Sequence, residues 1–109
     1  MTKSQISSTP DPPYYAVVFT SKRAREDIAY GATASRMVEL AKTMVGFLGI
    51  ESVRDSDGFG VTVSYWQDEE SIRAWKGHAE HLAAQAKGKS SWYEEYSVRV
   101  AKVERAYRF

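Results

Sequence analysis

The stretch that decides the fold runs Phe47-Leu48-Gly49-Ile50-Glu51-Ser52-Val53-Arg54, then Asp55-Ser56-Asp57-Gly58, then Gly60-Val61-Thr62-Val63-Ser64-Tyr65-Trp66. Two runs rich in β-branched and aromatic residues flank a short polar turn, and Asp57-Gly58 supplies the positive φ that a tight hairpin needs. The first run, Phe47–Arg54, reads as a strand, and Gly60–Trp66 as the strand antiparallel to it. In the latter, Val61, Val63 and Tyr65 share one face and Thr62, Ser64 and Trp66 the other, because side chains alternate along a strand.

Working outward, each end of this hairpin meets a helical pattern. Upstream, Met37, Leu40, Ala41 and Met44 recur at three- and four-residue spacing between about Ala32 and Met44, with Arg36, Glu39 and Lys42 elsewhere on the wheel and Gly46 as a stop. Downstream, Asp68 is a good N-cap, and Glu69 and Glu70 suit the positive end of a helix dipole. Ile72, Trp75, Ala79, Leu82 and Ala86 give that second helix its apolar stripe, and Gly88 ends it. Tyr14–Thr20 is apolar on both faces and reads as a buried strand, followed by a charged loop over 21–27. Residues 90–95 read as a short turn or helix, and Tyr96–Tyr107 as a long last strand.

The order is therefore β-α-β-β-α-β, the ferredoxin-like α+β arrangement: a four-stranded antiparallel sheet with both helices on one face. Residues 1–13, which end in Pro10-Asp11-Pro12-Pro13, read as a flexible arm ahead of a single domain over 14–109. The strands are apolar on both faces, which a solvent-facing sheet would not be. A second copy paired face to face would cover the side without helices, so a homodimer is expected, its interface using that face with the last strand contributing.

At 109 residues the chain has the size of one domain. Its net charge of +1, with acids and bases interspersed, argues against nucleic acid as a partner. No apolar run approaches the ~20 residues of a membrane span, and the N-terminus has no apolar signal core. Cysteine is absent, which excludes disulfides, thiolate metal sites and a cysteine nucleophile. A cytoplasmic location fits this composition.

All three tryptophans and both histidines fall between Tyr65 and Tyr96. Aromatics with a few polar handles are the usual build of a small-molecule site. The sequence here resembles the antibiotic biosynthesis monooxygenase domain over about Tyr14 to Phe109. The residues that carry the likeness are Gly46-Phe47-Leu48-Gly49, the run Gly60 to Trp66, then Ala74-Trp75-Lys76, His78, His81, Gln85 and Gly88, and last Trp92-Tyr93. The resemblance implies a dimeric α+β barrel of two ferredoxin-like units, with a pocket in each subunit between helices and sheet. It also implies oxygenase chemistry on an aromatic or quinol-like small molecule, with no metal or flavin. The haem-degrading branch of the family has an asparagine in the first strand and an axial histidine about ten residues beyond the helix tryptophan. Tyr14–Thr20 has no asparagine and Gln85 stands ten residues past Trp75, so haem here would need His78 or His81 in a different geometry. No cofactor is expected.

The candidate residues each carry two readings. His78 and His81, three apart on one helix, can take a proton from a phenol or bind iron; alternatively one packs under the last strand and the other meets solvent. Spacing allows both to bind a metal, but no third ligand is evident and no metal site is assigned. Trp75 is either a core residue or the flat wall of an aromatic site. Tyr65 offers a phenol donor or packs across strands, and as it and Trp66 point to opposite faces at most one of them enters the pocket. Trp92, Tyr93 and Tyr96 close the pocket mouth or form the dimer interface. Arg99 holds an anionic substrate or pairs with Glu51 or Glu104.

Overall fold

The computed structural model of the protein describes residues 4–23, 28–86 and 93–109, with side chains at 4–23, 34–80 and 93–109. The elements follow the order β1 (Tyr14–Arg23), α1 (Ile28–Thr43), β2 (Phe47–Arg54), β3 (Phe59–Trp66), α2 (Glu69–Ala86) and β4 (Tyr93–Val103). The strands form one antiparallel sheet in the order β2-β3-β1-β4. This is the ferredoxin-like α+β fold.

The hairpin forms as the sequence dictates. Asp55 accepts at Oδ1 from the backbone N–H groups of Asp57 and Phe59, both at 2.9 Å. Gly58 turns the chain with φ +94°, a conformation that costs an L-residue with a side chain about 1–2 kcal/mol. Gly46 (φ +87°) ends the turn after α1, and its carbonyl accepts from Gln67 N at 2.8 Å. The start of β2 is thereby tied to the start of α2. At that start Asp68 Oδ1 caps the helix, accepting from Ser71 N at 2.8 Å.

Three boundaries differ from the sequence reading, for one reason. β1 continues through the charged Lys22 and Arg23, because Lys22 pairs with Phe59 and Glu95, and Arg23 with Tyr93. β4 accordingly starts at Tyr93 rather than Tyr96, taking Glu94 and Glu95 into the strand. It ends at Val103, opposite Tyr14, where β1 offers no further partner. Cross-strand pairing overrides the weak strand preference of glutamate. α1 also begins earlier than expected, at Ile28.

Both helices pack on one side. Trp66 on β3 is 0 % exposed and forms the core with Ala41 of α1 and Ile72 of α2; Tyr15, Val17, Met44, Phe47 and Trp75 pack around it. Met37, Leu40, Ala41 and Met44 are the inward stripe of α1, while Arg36, Glu39 and Lys42 are exposed. The helices lie over β2 and β3.

On the opposite side, the segment before β1 lies against the sheet. Ser7 donates from its backbone N–H to Glu51 Oε2 (2.9 Å) and from its hydroxyl to the Ile50 carbonyl (3.2 Å). Thr9 Oγ1 donates to the Tyr14 hydroxyl at 2.9 Å. Arg108, beyond β4, reaches the Ser7 carbonyl at 3.3 Å. Tyr14 and Ala16 are buried beneath this layer.

Candidate functional site

The strand register assigns each candidate on a strand to a side. Tyr15 pairs with Trp66, so Tyr15, Val17, Phe19 and Ser21 face the helices, and through β4 so do Lys102, Val100, Val98 and Tyr96. Among the described residues the helices contact chiefly β2 and β3, and the β1–β4 half of this side is the more open. Val98 is 53 % exposed and Tyr96 64 %. An apolar strip results, with an aromatic cluster at one end. The Phe19 ring lies 5.5 Å from that of Tyr93, edge to face, and 5.7 Å from that of Tyr96. Centroid spacings in this range are those of favourable aromatic pairs.

The strip is bordered on the helix side by two stacked indoles. Trp66 and Trp75 lie 6.1 Å apart at 22°. Trp66 is fully enclosed, its Nε1 donating to Ser64 Oγ at 2.9 Å, so it backs the site rather than touching a ligand. Trp75 is half-buried and presents surface. His78, one turn along α2 from Trp75, is exposed. His81 lies one further turn along the same helix; its side chain, and all of Trp92, lie outside the described residues.

Arg54 closes the far end. Its guanidinium lies over Gly60, where an added Cβ would sit 2.8 Å from Cζ. It donates to Ser21 Oγ at 2.7 Å and to the Gly58 carbonyl, and its Cζ stands 6.0 Å from the Tyr93 ring centroid. Sequence reasoning passed over Arg54, Phe19 and Ser21. Their common signal is position in the row Arg54–Gly60–Ser21–Tyr96 and the row beside it, which requires the register of all four strands.

Tyr65 and Arg99 are on the other side of the sheet. Tyr65 donates its hydroxyl to Glu51 Oε1 at 2.7 Å and packs edge-on against Tyr14 at 5.9 Å. Burial, then the hydrogen bond and charge of Glu51, raise its pKa to about 12. It is a neutral phenol whose proton is already committed. Arg99 pairs with Val18, Val18 with Val63, and Val63 with Glu51. Arg99 and Glu51 thus stand at opposite edges of one row, three strand spacings or ~14 Å apart, too far for an ion pair within the chain. The structure therefore groups Trp66, Trp75, Tyr96 and His78 with the helices, and separates Tyr65 and Arg99 from them.

A shallow hollow of about 470 Å³ lies on α1, lined by Ser35, Arg36, Glu39 and Leu40. None of the aromatics lines it. Among the described residues no helix is long and apolar enough to cross a membrane.

Comparison with known proteins agrees with this architecture. The chain is 58 % identical over 100 residues to the uncharacterised protein YqjZ of Bacillus subtilis, covering 92 % of this chain and 88 % of YqjZ. It is 31 % identical over 100 residues to a jasmonate monooxygenase of Pyricularia oryzae, covering 86 % of this chain but only 45 % of the fungal enzyme. Among solved structures, SnoaB, a cofactor-independent oxygenase from Streptomyces nogalater, superposes with a TM-score of 0.63 at 11 % identity, over 86 % of this chain and 95 % of that one. At that identity the likeness speaks for the fold alone. The sequence profile described as antibiotic biosynthesis monooxygenase matches residues 13–87. The chain belongs to the antibiotic biosynthesis monooxygenase family, a monooxygenase-type family.

Proposed function

We propose that the protein is a small monooxygenase that holds an aromatic or quinol-like substrate against the open β1–β4 strip and works without metal or flavin. The observation that carries this reading is the strip itself: Tyr96, Val98 and Val100 are exposed on the helix side, with the Phe19–Tyr93–Tyr96 ring cluster at one end and the Trp66–Trp75 stack toward the other. A flat hydroxylated ring system matches that surface in shape and polarity.

In this mechanism the substrate lies along the open strip, with Trp75 toward one end and the Tyr93–Tyr96 rings at the other. An imidazole on α2, His78 or His81, takes a proton from the substrate's activated carbon or phenol. The resulting anion transfers electrons to dioxygen. One oxygen atom bonds to the ring carbon, which becomes a carbonyl, and the other leaves as water with the two hydrogens the substrate lost, both from that carbon when it is a CH2 group, or one from it and one from the hydroxyl when the substrate is a phenol. The substrate is oxidised, dioxygen is the oxidant, and no further reductant is required. Tyr65 and Arg99, across the sheet, stand outside this site. They belong to the face through which the same reading pairs the chain into a homodimer.

The test is oxygen uptake by chelator-treated protein with hydroxylated naphthalenes and quinols. Turnover that His78→Ala or His81→Ala abolishes supports the reading. No uptake, together with a stoichiometric Soret band on adding haem, would replace it with haem chemistry. Saturable ligand binding without turnover would leave a binding protein.

A further inference from the structure

The helix side of the sheet carries charge of one sign only. Four rows cross it: Phe47–Trp66–Tyr15–Lys102, Ile50–Ser64–Val17–Val100, Ser52–Thr62–Phe19–Val98 and Arg54–Gly60–Ser21–Tyr96. Within these rows the charged residues are Arg54 and Lys102, both cationic and at diagonally opposite corners, and no carboxylate stands in any of them. Lys102 is exposed, and Arg54 is half-buried. Arg99, expected from the sequence to hold an anion, is on the other side of the sheet.

Arg54 begins on the edge strand β2, but its guanidinium crosses β3 and reaches β1. It donates to Ser21 Oγ at 2.7 Å and to the Ser21 carbonyl at 3.4 Å, and also to the Gly58 carbonyl. Gly60 permits the crossing, since a Cβ there would stand 2.8 Å from Cζ. Every acceptor is neutral, and Ser21 is buried. Among the described residues no carboxylate pairs with Arg54. Nη1 and Nη2 both engage Ser21, so they use the edge between them. Nε–H and the second Nη2–H, which lie side by side at the spacing of two carboxylate oxygens, have no acceptor among the described residues.

This unused fork stands at the end of the aromatic cluster. Cζ lies 6.0 Å from the Tyr93 ring centroid, and Tyr93 packs on Phe19 at 5.5 Å and on Tyr96 at 6.0 Å. Val98 is in the next row along the strip. A strap tying β2 to β1 explains the contacts that Arg54 makes. An uncharged amide could make such contacts without the cost of half-burying a cation among neutral partners. An anion delivered by a ligand offsets that cost, and more strongly where aromatic rings exclude water.

We propose that Arg54 is the specificity-determining residue of the strip and receives the carboxylate of an aromatic acid whose ring lies over Tyr96 and Val98. This rests on the strip reading given above and adds the substrate class and its direction: the carboxylate at the Tyr93–Tyr96 end, the rest of the molecule toward Trp75 and α2. Arg54 transfers no proton or electron; it selects and orients.

Calorimetric titration of the wild-type chain with a hydroxynaphthoic acid and with its methyl ester tests this. The acid is expected to bind about tenfold or more tightly than the ester, by a margin that narrows as salt is raised. Arg54→Met is expected to bring the acid down to the ester's affinity and to leave the ester's unchanged. Arg54→Lys, which keeps the charge without the fork, is expected to retain part of the preference. Because Arg54 also ties β2 to β1, melting temperatures accompany both variants, and the acid–ester comparison on wild type needs no variant to fold. Equal loss of acid and ester in Arg54→Met would mean a structural role only and overturn the proposal. Equal binding of acid and ester by wild type, with Val98→Glu weakening both, would overturn the subsite and leave the strip standing. Binding of neither ligand to wild type at millimolar concentration would overturn the strip reading and the subsite with it.

Discussion

Tyr65 and Trp66 are adjacent in the chain and occupy opposite sides of the sheet. The indole is enclosed under two helices, and the phenol is hydrogen-bonded to Glu51 at 2.7 Å on the helix-free face. Tyr65 should therefore ionise near pH 12, well above the usual tyrosine value of about 10. Its folded pKa is raised above the unfolded value of about 10, so its contribution to stability is complete below about pH 10 and is lost as pH rises through 12. An ultraviolet tyrosinate titration reads this directly. Glu51→Gln should move the late transition downward; if it stays put, the carboxylate is not what raises it.

Trp66 should be the costliest side chain to truncate. Trp66→Ala empties the core and is expected to cost ~3–5 kcal/mol. Ser64→Ala removes only a hydroxyl, but it leaves a buried indole N–H without an acceptor, at ~1–3 kcal/mol. Urea unfolding curves measure both, and a Ser64→Ala loss near zero would mean that the indole finds another partner.

Two glycines should respond with opposite sign. Gly46→Ala places a side chain at φ +87° and drives its Cβ into Ser71, losing about 1–2 kcal/mol from the backbone alone. Gly77 lies inside α2, where an added Cβ meets nothing within 4 Å. Gly77→Ala is expected to gain ~0.5–1 kcal/mol. Thermal melts of the two variants should move in opposite directions from wild type.

The helix cap should be visible in acid. The side-chain and then the backbone hydrogen bond from Ser71 hold the Asp68 carboxyl below the usual carboxylate range. A depressed folded pKa gives stability that is present above the unfolded value of about 3.9 and is lost as pH falls through the folded one. The difference in melting temperature between wild type and Asp68→Ala should thus shrink as pH drops below about 4. A difference that persists unchanged to the lowest pH would show that the charge plays no part.

Ligand binding should be sensitive to the open strip. Val98→Glu places a charge on it and is expected to weaken binding of a hydroxylated aromatic about tenfold or more. The exposed position should leave the melting temperature nearly unchanged. Quenching of tryptophan fluorescence follows the binding, and unaltered affinity would move the site elsewhere.

The ferredoxin-like fold was legible because its signals are local. The Asp-Gly turn, the Asp68 cap and the helical spacing of Met37, Leu40, Ala41 and Met44 each act within a few residues. The family likeness was carried by the Gly46-Phe47-Leu48-Gly49 turn and the run from Tyr65 to Tyr96. The extensions of β1 and β4 were not legible, since Glu94 and Glu95 enter a strand only because β1 pairs with them. The site was partly legible. Trp75 and Tyr96 could be named from their types, and the opposition of Tyr65 and Trp66 from alternation. Which of the two meets the helices, and the place of Arg54, depend on how four strands align.

That alignment contains one irregularity in β2. Phe47 pairs with Trp66, but Gly49 pairs with Tyr65, so Leu48 is an extra residue in the strand. Counted by twos, Phe47, Gly49, Glu51 and Val53 would share a side; with the extra residue, only Phe47 meets the helices. In terms of chain length, Leu48 is thus the one position in β2 whose deletion leaves the remaining partners as they are. Removing any residue from 50 to 53 instead, with the hairpin register held, moves those from Leu48 up to the gap one place along and so sends Gly49 and its successors to the other side.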